Sequence, residues 1–256
     1  NNTQINNCYC SSTNITATNN YIGGICGQLI SSLINNCHYL SSTIQGFNYV
    51  GGICGSTSNS SSIINSYSKD LTITATNINA DGICGNLIIA SNINKCYCVS
   101  SNIKVTDFSY AGGICGLSNN STINNSYCVL NQNIVAKDSV GGLCGDNDQD
   151  ATINNCYCIA TIKRKSNSSK KAFGGLVGSN SGTINNSYSY SDWNQTSGLT
   201  APTGSNGTST KTSADMQNIA GTLGNEFAND VFSVNDLYPI FTDRAITITN
   251  NISKNN

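Results

Sequence analysis

The chain has 256 residues, 10% charged and 38% hydrophobic, with a formal net charge of −1. So dilute and balanced a charge excludes electrostatic capture of nucleic acid. Apolar runs reach only four or five residues, and a membrane-spanning helix needs about 20.

From residue 1 to about 190 the sequence repeats itself. Aligned on "INNCYC" at 5–10, successive repeats begin at Ile5, Ile34, Ile63, Ile93, Ile123, Ile153 and Ile184, at intervals of 29 to 31 residues. A second motif keeps the same beat, as "GGICG" from Gly23, Gly51 and Gly112, "DGICG" from Asp81, "GGLCG" from Gly141 and "GGLVG" from Gly174. Periods of this length mark architectures in which each unit buries its apolar face against its neighbours. Between the motifs, stretches such as "TNITATNN" and "LTITATNINA" alternate with a period of two, which predicts strands. The repeat is too short for a propeller blade of roughly forty residues. It fits one coil of a parallel β-helix, with three short strands, three corners and about 4.8 Å between coils. The expectation is an all-β fold of about seven coils, right-handed like nearly all parallel crossovers.

Stacking turns sequence columns into ladders. The Ile5 column, the column Ile15, Ile44, Ile73, Ile103, Ile134 and Ile162, and the column Ile22, Val50, Ala80, Ala111, Val140 and Phe173 predict the core. The Asn pairs that follow five of the seven leading Ile residues, such as Asn6 and Asn7 or Asn154 and Asn155, predict amide ladders. Tyr9, Tyr67, Tyr97, Tyr127, Tyr157 and Tyr188, with His38 between the first two, predict an aromatic one. The paired glycines mark a sharp corner that requires positive φ or close backbone approach.

All thirteen cysteines fall in three columns: Cys8, Cys37, Cys96 and Cys156; Cys10, Cys98, Cys128 and Cys158; and Cys26, Cys54, Cys84, Cys115 and Cys144. Other repeats place Ser66, Ser126, Ser187, Ser68, Ser189, Tyr39 or Val177 at these positions. Ser and Val cannot do a thiolate's chemistry but fill a similar volume, so packing of free thiols is the favoured role. Disulfides stay open as the alternative, favoured by an oxidising compartment. Bridges across a coil, such as Cys10 to Cys26, are easier than bridges along a ladder, where Cβ atoms stand about 4.8 Å apart instead of about 3.8 Å. Zinc is disfavoured, because four ligands must converge and His38 is the only histidine.

In "GDNDQDATI", Asp146, Asp148 and Asp150 have the opening spacing of a calcium loop but lack its glycine and closing glutamate. A polar corner is the preferred reading, and no cofactor is assigned. "KRKSNSSKK" at 163–171 reads as a solvated loop extruded from a corner. Candidate glycosylation sites are Asn14, Asn59, Asn119, Asn120, Asn124, Asn167, Asn185, Asn194, Asn206 and Asn251. Residues 191–256 are expected to hold a Ser/Thr/Gly-rich loop, a cap and a tail strand. The cap is a short helix over 215–230 with Ala220, Leu223, Phe227 and Val231 on one face, and the strand is "AITITNN" at 245–251. The chain starts without Met or a leader, as a mature or excised portion of a longer protein would.

"GGLVGSNSGTINNSYSY" at 174–190 resembles the GLUG repeat (Gly-Leu-hydrophobic-Gly) of bacterial and protist surface and secreted proteins, with "GGICG" and "GGLCG" as Cys variants. Residues 215–241 resemble the segment that often closes such repeats. The resemblance implies a β-solenoid over 1–190 and an extracellular or cell-surface location, in proteins that range from adhesins to stalks of larger enzymes. The expected function is therefore structural and interactive, without catalysis of its own. Its partners would be further coils of the chain, neighbouring copies end to end, or a glycan or protein ligand. A head-to-tail filament subunit is one alternative. A polysaccharide-cleaving β-helix is disfavoured because the repeats offer few carboxylates. An ice-binding Thr face fails where "NIVAKDS" and "TIKRKSN" replace the threonines.

Overall fold

The strands are short because the corners come quickly. A computed structural model describes residues 2–107, 110–164, 172–190, 208–211, 213–230 and 238–242. In it the leading Ile of each repeat is the middle of a three-residue strand, and the second residue after that Ile turns the chain through the left-handed region. Asn7, Asn36, Asn65, Lys95, Asn125, Asn155 and Asn186 have φ between 42° and 55°. Asn is enriched there because its short polar side chain can bond locally.

Stacked in register, the strands make a parallel β-solenoid. The "INN" strands, from Gln4–Asn6 to Thr183–Asn185, build a seven-stranded sheet, and those from Cys26–Ile30 to Val177–Asn180 a six-stranded one. Sixteen strands between them form the third and broadest wall. The walls thus close six full turns, and the seventh coil contributes to two of them. Like residues pair along the Ile and third Cys columns. Ile34 lies between Ile5 and Ile63, Ile103 between Ile73 and Ile134, and Cys84 between Cys54 and Cys115. Ile34, Ile44, Ile63, Ile73, Ile93, Ile103, Ile123, Ile134 and Ile153 are fully buried, and each such side chain stabilises the fold by about 1.5–3 kcal/mol.

The paired glycines serve close approach alone, and the positive-φ half of the expectation is corrected. None of the repeat glycines lies in the left-handed region, which the Asn corners occupy instead. A Cβ on Gly51 would fall 2.0 Å from the Cys54 carbonyl oxygen, and one on Gly113 would fall 2.4 Å from Cys128 Sγ. The first glycine makes room for the backbone of its own corner, and the second for the side chain that crosses the interior to meet it.

The C-terminal segment also departs from expectation. Instead of one helix there are two short ones, Ser213–Gln217 and Ala220–Leu223, followed by an antiparallel pair, Phe227–Ala228 with Ile240–Phe241. Phe227 therefore belongs to a strand. Rather than packing on the core cross-section, Met216, Ile219, Ala220, Leu223, Phe227 and Phe241 share an apolar cluster with Val99, Tyr127 and Tyr157 on the outside of the broad wall. Phe241 meets Tyr97 and Tyr127 edge to face, with centroids at 5.8 and 5.2 Å. A Lys95–Glu226 ion pair at 2.6 Å joins the segment to the fourth coil, and being partly exposed it adds less than about 1 kcal/mol. The basic loop from 165 onward, Val231 and the tail strand at 245–251 lie outside the described residues.

Replacing Ile103 with Asp would set an unpaired carboxylate between Ile73 and Ile134 in a fully buried column. Loss of about 4 kcal/mol or more is expected, read as loss of cooperative unfolding by circular dichroism. A soluble variant that melts like the parent would refute the column assignment.

Candidate functional site

All thirteen cysteines are free thiols, and the three columns place them differently. In the first column the side chain accepts the preceding coil's N–H and bonds its own coil's carbonyl. Cys37 N–H donates to Ser66 Oγ at 3.0 Å, Cys96 to Ser126 at 3.2 Å and Cys156 to Ser187 at 3.1 Å. Ser66, Ser126 and Ser187 donate to the carbonyl two residues earlier, as the thiols of Cys37, Cys96 and Cys156 do. Ser and Cys interchange here because both donate and accept, a reason beyond volume.

The second column points across the interior. Ser68 Oγ donates to Gly82 O at 2.6 Å, Cys128 Sγ to Gly142 O at 2.9 Å and Cys158 Sγ to Gly175 O at 2.8 Å. The cross-coil contact is thus a thiol on a glycine carbonyl. Cys10 Sγ stands by Thr13 Oγ1 at 3.3 Å, and Cys26 Sγ donates to Gln28 O at 3.2 Å, each engaged locally.

Third-column thiols all bond the carbonyl two residues on, at 3.1–3.3 Å. At its half-buried end, a hydrogen bond from Cys54 outweighs desolvation and lowers the Cys26 thiol from 9.0 to about 7. The same bond, then its neighbour Cys84 and full burial, push Cys54 well up. Burial raises Cys96 and Cys156 to about 12 and Cys98 to about 11.

Asp81, which replaces the first glycine of the corner motif, is fully buried. Its Oδ1 accepts the Gly112 N–H at 2.7 Å, while Oδ2 and the nearby Asn79 Oδ1 have no partner. Both residues crowd Gly116, where a Cβ would lie 2.5 Å from Asp81 Oδ2 and 3.1 Å from Asn79 Cβ. Desolvation holds the carboxyl well above its ordinary value.

Among the described residues no three His, Cys, Asp or Glu side chains converge as metal ligands, Asp146, Asp148 and Asp150 included. Asp146 is on a strand, Asp148 accepts Asn119 Nδ2 at 2.9 Å, and Asp150 turns a corner at φ 59°. His38 stands in the aromatic ladder, 4.1 Å from the Tyr67 ring.

The Asn ladders form as expected. Asn154 Nδ2 donates to Asn124 Oδ1 and Asn185 Nδ2 to Asn154 Oδ1, both at 2.8 Å. This divides the candidate glycosylation sites. Asn14, Asn59 and Asn120 are exposed, whereas Asn119, Asn124 and Asn185 have their amides engaged, and Ser126 and Ser187 of the last two sequons are fully buried. Asn167, Asn194, Asn206 and Asn251 lie outside the described residues.

Residues 48–74, one corner motif with the strands that follow, match the family described as the GLUG motif. The chain contains a GLUG repeat. A comparison with curated proteins finds no match. Within the GLUG repeat the glycines of Gly51–Gly55 meet the neighbouring coil, and Ile63 enters the core.

Sequence reading missed two features. Outward Val99, Val129 and Ile159 pack beneath the C-terminal segment, and the runs "YCV" and "YCI" signalled this by lacking alternation. The burial of Asp81 was signalled by its place in a glycine column.

Two predictions follow from the site's titrating groups. Cys26 should react with iodoacetamide at pH 7 well before the buried thiols, as mass mapping of partly labelled native protein would reveal. Uniform labelling would contradict it. Because folding raises the Asp81 carboxyl's pKa, its cost is absent below the ordinary carboxylate range and grows as pH rises above it. Asp81→Asn should therefore stabilise by about 1–3 kcal/mol at pH 8 and leave thermal stability unchanged near pH 3. An equal effect at both values would contradict the burial of an ionisable carboxyl.

Proposed function

We propose that the chain is an extracellular or cell-surface interaction scaffold, adhesin- or stalk-like, without catalysis of its own. The supporting observation is where its reactive side chains point. Ten of the thirteen thiols are buried in the stack, and the Asp81 carboxyl is enclosed with them. The outer faces are left to Asn, Thr, Ser and Tyr ladders, which recognise ligands by shape and hydrogen bonding. No helix among the described residues is long and apolar enough to cross a membrane.

Protease shaving of intact producing cells should release peptides of this chain. Incubation with pectin, alginate and xylan should release no new reducing ends. Peptides recovered only after lysis would overturn the surface location, and sugar release would overturn the non-catalytic reading.

A further inference from the structure

The outer side of the broad wall carries aromatic rings that the fold does not require. Tyr21 and Tyr49 stack with centroids 5.3 Å apart and planes 10° apart. Both sit in the left-handed region, at φ 62° and 53°, which is unfavourable for a bulky side chain. Two of the later coils close this corner with a polar side chain, on either side of Tyr110, and of the two only Asn79 shares the left-handed backbone. Asn79 Nδ2 closes onto Gly85 O at 2.8 Å, and Ser139 Oγ onto Gly145 O at 2.7 Å. The two tyrosines forgo that bond and project rings. Tyr21 is 37% exposed and neighbouring Phe47 is 44% exposed.

An amide ladder runs beside the rings. Asn48 Nδ2 donates to Asn20 Oδ1 and Asn77 Nδ2 to Asn48 Oδ1, both at 2.7 Å. A primary amide has two N–H donors and two acceptor lone pairs, so each Asn retains hydrogen-bonding capacity beyond the ladder. The first two coils, which carry all three rings, hold no charge, since no Asp, Glu, Lys or Arg precedes Lys69. Such a face offers nothing to phosphate, sulfate or carboxylate groups. Three rings beside polar amides also make too small an apolar patch for a stable protein interface. Flat apolar rings beside amide donors and acceptors, without charge, match a neutral sugar, whose C–H face lies on a ring while its hydroxyls bond to amides.

We propose that Tyr21, Phe47 and Tyr49, with Asn20, Asn48 and Asn77, bind a neutral polysaccharide. This rests on the interaction-scaffold reading and gives it a site and a ligand class.

The test is depletion of the full chain from solution by insoluble cellulose, chitin and β-1,3-glucan. The double variant Tyr21→Asn with Tyr49→Asn copies the Asn79 solution and should keep the parent's circular dichroism and melting temperature. Tyr9→Ala removes an exposed tyrosine elsewhere. At least one polysaccharide should deplete the parent and Tyr9→Ala equally, with or without added salt, and bind the double variant and Phe47→Ala at least tenfold more weakly. No depletion by any of the three, depletion abolished by salt, or equal depletion of parent and variants would overturn the proposal. Release of soluble sugar would instead count against the scaffold reading, so the two failures are separable.

Discussion

Parallel in-register stacking places each side chain about 4.8 Å from its counterparts in the coils on either side, and much of the composition follows from that repetition. A charge stacked on its like at this distance costs about 1 kcal/mol in water and about 3–4 kcal/mol in a protein-surface dielectric. Columns are therefore built of residues that tolerate themselves: Ile by packing, Asn by amide pairing, Tyr by ring stacking. Charged residues appear singly. Lys69 lies between Leu40 and Val99, and Lys104 between Thr74 and Val135. Lys95, in an Asn column, finds its counter-charge outside the stack at Glu226.

The same repetition explains the cysteines without a reaction. A position that must accept one N–H and return a bond to a carbonyl can be filled by Ser or Cys, and the first column uses both. In the second column the side chain fills the space a Cβ would need on the facing glycine. Gly82, Gly113 and Gly142 would meet the sulfurs of Cys98, Cys128 and Cys158 at 2.4–2.5 Å. Gly and Cys thus occur together as two halves of one contact.

Columns were legible because an explicit period fixes which residue lies over which, and backbone pairing reproduces them. Corners were less so. A Gly pair is compatible with positive φ and with close approach alike, and sequence does not separate the two. The second Asn of each pair does two jobs, turning the chain and joining ladders, and only the ladder could be read from its repetition. In the C-terminal segment, Ala220, Leu223 and Phe227 carry a helical spacing that a tertiary contact overrides, since Phe227 pairs with Phe241 against the Tyr ladder. Tyr21 and Tyr49 were visible as residues. What set them apart was the bond that Asn79 and Ser139 make at the same corner, and that is a fact of three dimensions.

Abundant free thiols and an extracellular location are usually in tension, because oxidising compartments pair exposed cysteines. The stack relieves that tension. Oxidation and exchange proceed through the thiolate, and Cys96, Cys98 and Cys156, raised to about 11–12, hold almost none at neutral pH. Neighbouring thiols in a column are also kept at the strand spacing rather than at the shorter Cβ separation a relaxed disulfide requires. Burial and register together protect the buried sulfurs, leaving Cys26 as the thiol that combines partial exposure with a lowered pKa. Cysteine content in such a chain therefore reports on packing inside the coil and gives no guide to the redox state of its surroundings.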